Sequence, residues 1–278
     1  MRFAYVLPDP ASYADWAEFD GDLDCMKQAG YDAVELQIAD PAEFDEERVR
    51  RSLQAAGLPM CAFQTGATYA TRGNCLCTPD HAVRQQTIAL LEAHVDLAAR
   101  WHAVVVFGSL QGRRSNEPDR AAGQARIEAA IARVAERASA RGVTVAFEPV
   151  NQLEVGFNNT IAAVAGIVRR MNLPGLKMMV DTFHMNIEEQ HMLAPIAGIA
   201  DILAHVHLSE TNRDVLGAGH WDTAGFLGEL QRLGYQGVCS VGVYYTVLPR
   251  RDCIARCMDV LRAAQGSARR RRPRRTPT

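Results

Sequence analysis

The chain has 278 residues, 48% of them apolar and 22% charged, with a formal net charge of −2. This is enough apolar material for a large core. No apolar run approaches the roughly 18–20 residues a bilayer-spanning helix needs, and the start, "MRFAYVLPDP", lacks the features of a secretory leader. No membrane partner is therefore expected, and a cytoplasmic location is. The charge is uneven: residues 269–275 hold six arginines and no acid, so removing them takes the remaining body from −2 to −8. An arginine block of this kind reads as a disordered tail, and an acidic body argues against nucleic acid as the main ligand. Seven scattered cysteines do not form a disulfide framework, and neither "CLC" (75–77) nor "CIARC" (253–257) has paired zinc spacing.

In chain order, short β-branched runs alternate with longer stretches of helical period. The strand candidates are 2–8, 33–39, 59–65, 103–109, 144–150, 176–182, 203–209 and 238–244. Thr78-Pro79 opens a long helix as its expected cap and first-turn proline, and Gly142 closes an alanine-rich one. Strands that are almost wholly apolar are buried on both faces and so belong to a parallel sheet. Eight such units in this length predict a single-domain (β/α)8 TIM barrel over residues 1–265, followed by a disordered Arg-rich tail, 266–278. A dinucleotide-binding sheet would need GxGxxG after a strand, and "GAGHWD" (217–222) follows none.

Barrel enzymes carry their chemistry at the carboxyl ends of the strands. There strand 5 offers Glu148, strand 6 offers Asp181 and His184, and strand 7 offers His205 and His207 with Arg213 in the following loop. Taken alone, Asp181 could equally be the N-cap of the next helix, and either strand 7 histidine a hydrogen-bonded rim residue. Together, acids and an imidazole converging on one mouth repel and desolvate one another unless a cation joins them. Mixed oxygen and nitrogen donors suit Mn²⁺, Mg²⁺ or Co²⁺.

"FEPVNQLE", "VDTFHMNIEE" and "HVHLSETNR", with "GHWD" and "GYQGV", resemble the xylose-isomerase-like sugar isomerase/epimerase barrels. That group includes D-tagatose 3-epimerase and D-psicose (allulose) 3-epimerase. The likeness is close over about residues 140–242 and a matter of layout before that. It implies that Glu148, Asp181 and His207 hold a divalent metal, Mn²⁺ first among candidates, with Glu148 also moving the proton. It implies that Glu154, His184 and Arg213 bind a small sugar substrate, and that a homodimer or homotetramer is the expected assembly.

In that family a glutamate at the end of strand 8 completes the set, and its position here is Gly242. No acid lies between Glu229 and Asp252, so a shift of register cannot supply one. Three ligands with open positions still make a workable metal site, but two-base epimerisation lacks a proton donor. Tyr244, Tyr245 or Cys239 could stand in if the strand bulges at Gly242. The competing readings are a metal-dependent dehydratase of a keto-polyol, as in the inosose dehydratases, and a sugar-binding protein with little turnover. An endonuclease IV-like reading fails because strands 3 and 4 end in "FQTG" and "FGS", which give no ligands. Near the end of strand 4, Gln111, Arg113 and Arg114 either face the mouth and bind an anion or form a solvated loop.

Overall fold

In the computed structural model, which describes the backbone of residues 1–271 and side chains to residue 266, the chain forms a closed eight-stranded parallel barrel in the order β1 to β8. The elements run β1 Arg2–Leu7, α1 Trp16–Ala29, β2 Ala33–Gln37, α2 Glu46–Ala56, β3 Met60–Gln64, α3 Ala67–Arg72, α4 His81–Trp101 and β4 Val104–Phe107. They continue with α5 Arg120–Arg141, β5 Val145–Phe147, α6 Ile161–Met171, β6 Leu176–Asp181, α7 Thr182–Glu188, α8 Ala194–Ala197, β7 Leu203–Leu208, α9 Thr223–Arg232, β8 Val238–Val241 and α10 Arg250–Arg271. Every expected strand is present, each trimmed by one to four residues. The expected rim residues Glu148 and Gly242 lie one position beyond β5 and β8.

Two boundaries differ from expectation. The long helix α4 is capped by Asp80, whose carboxylate accepts from Ala82 N at 2.8 Å and Val83 N at 3.2 Å. Thr78 instead accepts from Asp80 N at 3.2 Å, because a charged acceptor caps a helix better than a hydroxyl two residues earlier. At the other end, α10 continues to Arg271, past the tail boundary set at 265, as alanine and arginine are strong helix formers. Residues 272–278 of the tail lie outside the described residues. The Gly142 cap is as expected, left-handed at φ 65°.

Alternate strand positions face in opposite directions, and here they separate two kinds of packing. Outward positions such as Val105, Phe107, Val145 and Phe147 join the large core under the helices, with the Phe107 and Phe147 rings stacked at 5.0 Å. The apolar inward positions are mostly small: Ala4, Ala33 and Val238 form one cluster, and Ala62, Val106 and Ala146 with the larger Met179 form another. These small residues leave the barrel axis free for polar side chains.

The barrel closes with β1 pairing β8, and α10 packs on α1 over that seam. There Asp22 is buried and accepts from Tyr13 Oη at 3.2 Å, Arg250 Nη1 at 2.8 Å and Arg251 Nε at 3.0 Å. Hydrogen bonds to a charged group contribute about 1.5–3 kcal/mol each when broken singly. Asp22→Asn keeps the shape and removes the charge, so a loss of about 2 kcal/mol is expected. It should appear as a lower denaturation midpoint at an unchanged m-value. An unaltered midpoint would show that this seam carries no stability.

Candidate functional site

Glu148 follows β5 directly, and its N–H donates to Phe107 O at 2.8 Å, which holds it at the rim. A Cβ on neighbouring Gly108 would lie 2.5 Å from Glu148 Oε2, so glycine is required there to leave room for the carboxylate. Burial pushes the Glu148 carboxyl up to about 8; His207 pulls against the shift and the charge of Asp181 adds to it.

Asp181 ends β6 and uses its two oxygens differently. Oδ1 accepts from Phe183 N at 2.8 Å and caps α7, while Oδ2 accepts from Ser209 Oγ at 3.3 Å. The helix-cap and functional readings of Asp181 therefore hold together. Asp181 and His207 are register partners on β6 and β7. His207 Nδ1 lies 3.9 Å from Asp181 Oδ2, too far for a hydrogen bond, and among the described residues this buried nitrogen has no partner.

The other face of His207 is fully engaged. Its Nε2 lies 2.8 Å from Glu35 Oε1, and His205 Nε2 lies 2.7 Å from Glu35 Oε2. Glu35 comes from β2 and crosses the space left by the inward alanines. Burial alone would raise its pKa, but the two imidazoles outweigh that and hold it well below the usual carboxylate range. Burial works against a charged His207 too, yet Glu35 pushes it up to about 9, helped by Glu148 and Asp181. A carboxylate that fixes one histidine nitrogen and turns the other to a site is the usual backing of a metal-ligating histidine. Among the described residues two groups could hold an ion by spacing, Glu35–His205–His207 and Glu148–Asp181–His184. The first is closed by its own hydrogen bonds, whereas the second opens on a cavity.

That cavity is about 250 Å³ and is lined by Gln37, Gln64, Glu148, Glu154, Asp181, His184, Arg213 and Tyr244 among others. It thus brings together five of the expected site residues, with His207 behind Asp181. A larger hollow of about 430 Å³ lies at the opposite, amino end of the strands, around Arg2, Tyr235 and Gln236, and its lining holds no carboxylate, histidine or thiol. The chemistry belongs to the smaller cavity.

Arg213 is the organiser of the rim. Its backbone is left-handed at φ 57°, uncommon for a residue with a side chain. Several contacts keep it there. Arg213 N donates to Glu210 O at 2.9 Å, and Arg213 O accepts from Tyr244 N at 2.9 Å and Tyr245 N at 3.0 Å. The guanidinium lies over Phe183 at 4.1 Å and Tyr244 at 5.0 Å, reaches Glu154 Oε1 at 3.2 Å and meets His184 Nε2 at 3.1 Å. Asn151 Nδ2 meets His184 Nδ1 at 2.7 Å. Burial takes the His184 pKa down to about 4, with Arg213 assisting and Asp181 opposing, so the ring is neutral near pH 7.

Gly242 has ordinary backbone geometry, since it is not among the residues with positive φ; the constraint there is space. A Cβ on it would meet Tyr244 Cε2 at 2.8 Å and Ser209 Oγ at 3.0 Å. The ring of Tyr244 thus fills the place of a strand 8 side chain. Of the other two expected stand-ins, Cys239 is buried in the core and Tyr245 is 69% exposed. Gln111 is buried against Glu148 O at 3.4 Å, while Arg113 and Arg114 are exposed and do not line the cavity.

Sequence reading missed Glu35, Gln37 and Gln64. The available signal was polarity inside otherwise apolar strands, "AVELQ" and "MCAFQ", because a charge at an inward position of a parallel strand must have a partner.

Comparison with known proteins agrees with this geometry. The family model described as xylose isomerase-like TIM barrel matches residues 23–264. The chain is 37% identical over 213 residues to a ketose 3-epimerase of Arthrobacter globiformis, covering 76% of this chain and 72% of that protein. It is 31% identical to an L-ribulose 3-epimerase of Mesorhizobium japonicum, over 79% of this chain and 73% of that one. A solved L-ribulose 3-epimerase superposes over the whole of both chains with a TM-score of 0.84 at 25% identity. D-allulose 3-epimerase from Methylomonas sp. gives a TM-score of 0.81 at 23% identity, over 95% of this chain and 97% of that one. With its closed barrel and its acids and imidazoles gathered at the carboxyl ends of the strands, the chain belongs to the xylose isomerase-like TIM barrel family.

Proposed function

We propose that the protein is a divalent-metal-dependent sugar epimerase or isomerase that moves a proton beside a ketose carbonyl through an enediolate. In this reading Glu148, Asp181 and His207 hold the ion, and Glu148 is also the base. Glu154, His184 and Arg213 hold the substrate. Mn²⁺ is the preferred ion over Mg²⁺ or Co²⁺, since two carboxylates and one imidazole form a mixed set. The observation that carries the reading is His207 Nδ1, buried and unpartnered 3.9 Å from Asp181 Oδ2, beside a cavity that Glu148 also lines. A bound ion polarises a carbonyl and its neighbouring hydroxyl and acidifies the adjacent C–H. Glu148, buried and lining the cavity, is the carboxylate placed to take the C–H proton. The Arg213 guanidinium supplies donors at the rim for a sugar oxygen. The ketose 3-epimerase names of the relatives favour a free ketose as substrate.

Solvent deuterium incorporation tests this on a panel of free and phosphorylated ketoses, with Mn²⁺ present and with a chelated control. Deuterium beside the carbonyl, lost on chelation and reduced about 10²–10⁴-fold in Glu148→Gln, is the expected outcome. Metal-dependent loss of water would identify the dehydratase reading, which the missing acid at 242 favours. Sugar binding without exchange would identify the weakly active one.

Metal affinity should rise with pH. Glu148 at about 8 and His207 at about 9 both have to give up a proton to become ligands. Below pH 8 the affinity should gain between about ten- and about a hundredfold per pH unit, one factor of ten for each proton displaced. Titration calorimetry in buffers of differing ionisation heat would measure the released protons. A pH-independent affinity would remove His207 and Glu148 from the ligand set.

Glu35→Gln gives a third check. An amide cannot accept through both of its ends, so one histidine loses its anchor. Metal affinity should fall about 10–100-fold while the circular dichroism spectrum is unchanged. Unchanged affinity would limit Glu35 to a packing role.

A further inference from the structure

Epimerisation needs one group to take a proton from carbon and a second to return one to the opposite face. Glu148 can take it, but the cavity holds few groups able to give one back. His184 is met at both ring nitrogens, by Asn151 and Arg213. Glu154 is tied to Arg213 at 3.2 Å and to Asn151 Nδ2 at 3.1 Å. Asp181 Oδ1 is committed to the helix cap. Ser109 carries an alcohol, a far weaker acid than a phenol. Tyr244 is left.

The hydrogen bonds around Tyr244 leave its proton free. Gln64 Nε2 donates to Tyr244 Oη at 3.1 Å, and Gln64 Oε1 is already taken by Gln37 Nε2 at 2.6 Å. Gln64 thus meets the phenol through its donor nitrogen, and this contact does not use the phenolic proton. The ring is fixed by the guanidinium of Arg213 at 5.0 Å and by the absence of a side chain on Gly242, whose Cβ would lie 2.8 Å from it. Tyr244 and Gln37 also line a second cavity of about 330 Å³ among Tyr5, Thr246 and Arg250. Tyr244 thus lies between two spaces.

We propose that Tyr244 is a catalytic residue of this site, the proton donor that works opposite Glu148. The proposal rests on the metal-dependent epimerase reading. Glu148 on β5 and Tyr244 after β8 approach from positions three strands apart around the barrel. Glu148 takes the C–H proton, and the freed electron pair forms the enediolate. The Tyr244 O–H bond then breaks as a new C–H bond forms on the other face of the same carbon, and the carbonyl is restored. Tyr244 regains a proton from water in the second cavity and Glu148 loses one to water, so the net proton balance is zero. Tyr244 enters the cycle protonated, because burial holds the phenol well above its ordinary pKa.

The test measures two rates on one ketose in deuterated solvent, exchange at the carbon beside the carbonyl and appearance of the epimer. In Tyr244→Phe, Glu148 can still remove a proton and return one to the original face. The ratio of exchange to epimerisation should therefore rise about 100-fold or more, with metal affinity unchanged. A Phe variant with the wild-type ratio would overturn the proposal and leave the epimerase reading standing. Absence of metal-dependent exchange in the wild type would instead remove that reading, and the proposal with it. Should the Phe variant fold poorly, 3,5-difluorotyrosine at position 244 is nearly isosteric and more acidic. A several-fold change in the same ratio supports donation from Oη, and an unchanged ratio refutes it.

Discussion

A carboxylate buried at the centre of the barrel organises the rest of the site. Glu35 has no access to water, and an isolated charge there would cost several kcal/mol. Its two oxygens are met separately by His205 and His207, so the charge is compensated inside the molecule. Glu35 fixes the His207 ring so that Nδ1 faces Asp181, and the ring orientation decides where a cation can sit. The small inward residues Ala4, Ala33 and Ala62 make this possible, because larger ones would block the path from β2 to β7.

Around that axis each rim residue is held by something other than its chemistry. Arg213 is kept in an uncommon backbone conformation by three main-chain hydrogen bonds and two aromatic faces. Glu148 has its place because Gly108 lacks a side chain, and Tyr244 because Gly242 does. Strain and missing side chains of this kind gather where function requires a geometry that packing alone would not select. The cavity is walled by the last residues of the strands, among them Gln37, Gln64 and Asp181, and by the loops that follow them, which bring Glu154 and Arg213.

Much of this was legible in the sequence, for identifiable reasons. Strand positions follow from period and β-branching, and the rule that chemistry sits at carboxyl ends turned them into Glu148, Asp181, His184, His207 and Arg213. Glu35 was not legible in the same way. It lies mid-strand rather than at a strand end, and its partners are 170 and 172 residues away. Only the cost of an unpaired charge signalled it. Gly242 stood out in the sequence as a glycine within an apolar strand, but what fills the space beside it did not, since the Tyr244 ring follows two residues later and turns back. The cap of α4 was misplaced because Thr78-Pro79 and Asp80 compete within three residues, and only the main-chain path decides between them.

Asp181 joins two systems that are usually separate. One oxygen holds the first turn of α7 and the other accepts from Ser209, in a residue that also lines the cavity, so a single negative charge is shared between a helix start and a binding place. Charge drawn to one oxygen is withdrawn from the other. The opening turn of α7 is therefore tied to what occupies the mouth of the barrel, and it carries His184 with it. A cation placed beside Asp181 would therefore be felt first at the Phe183 amide, whose proton resonance would register binding without substrate turnover.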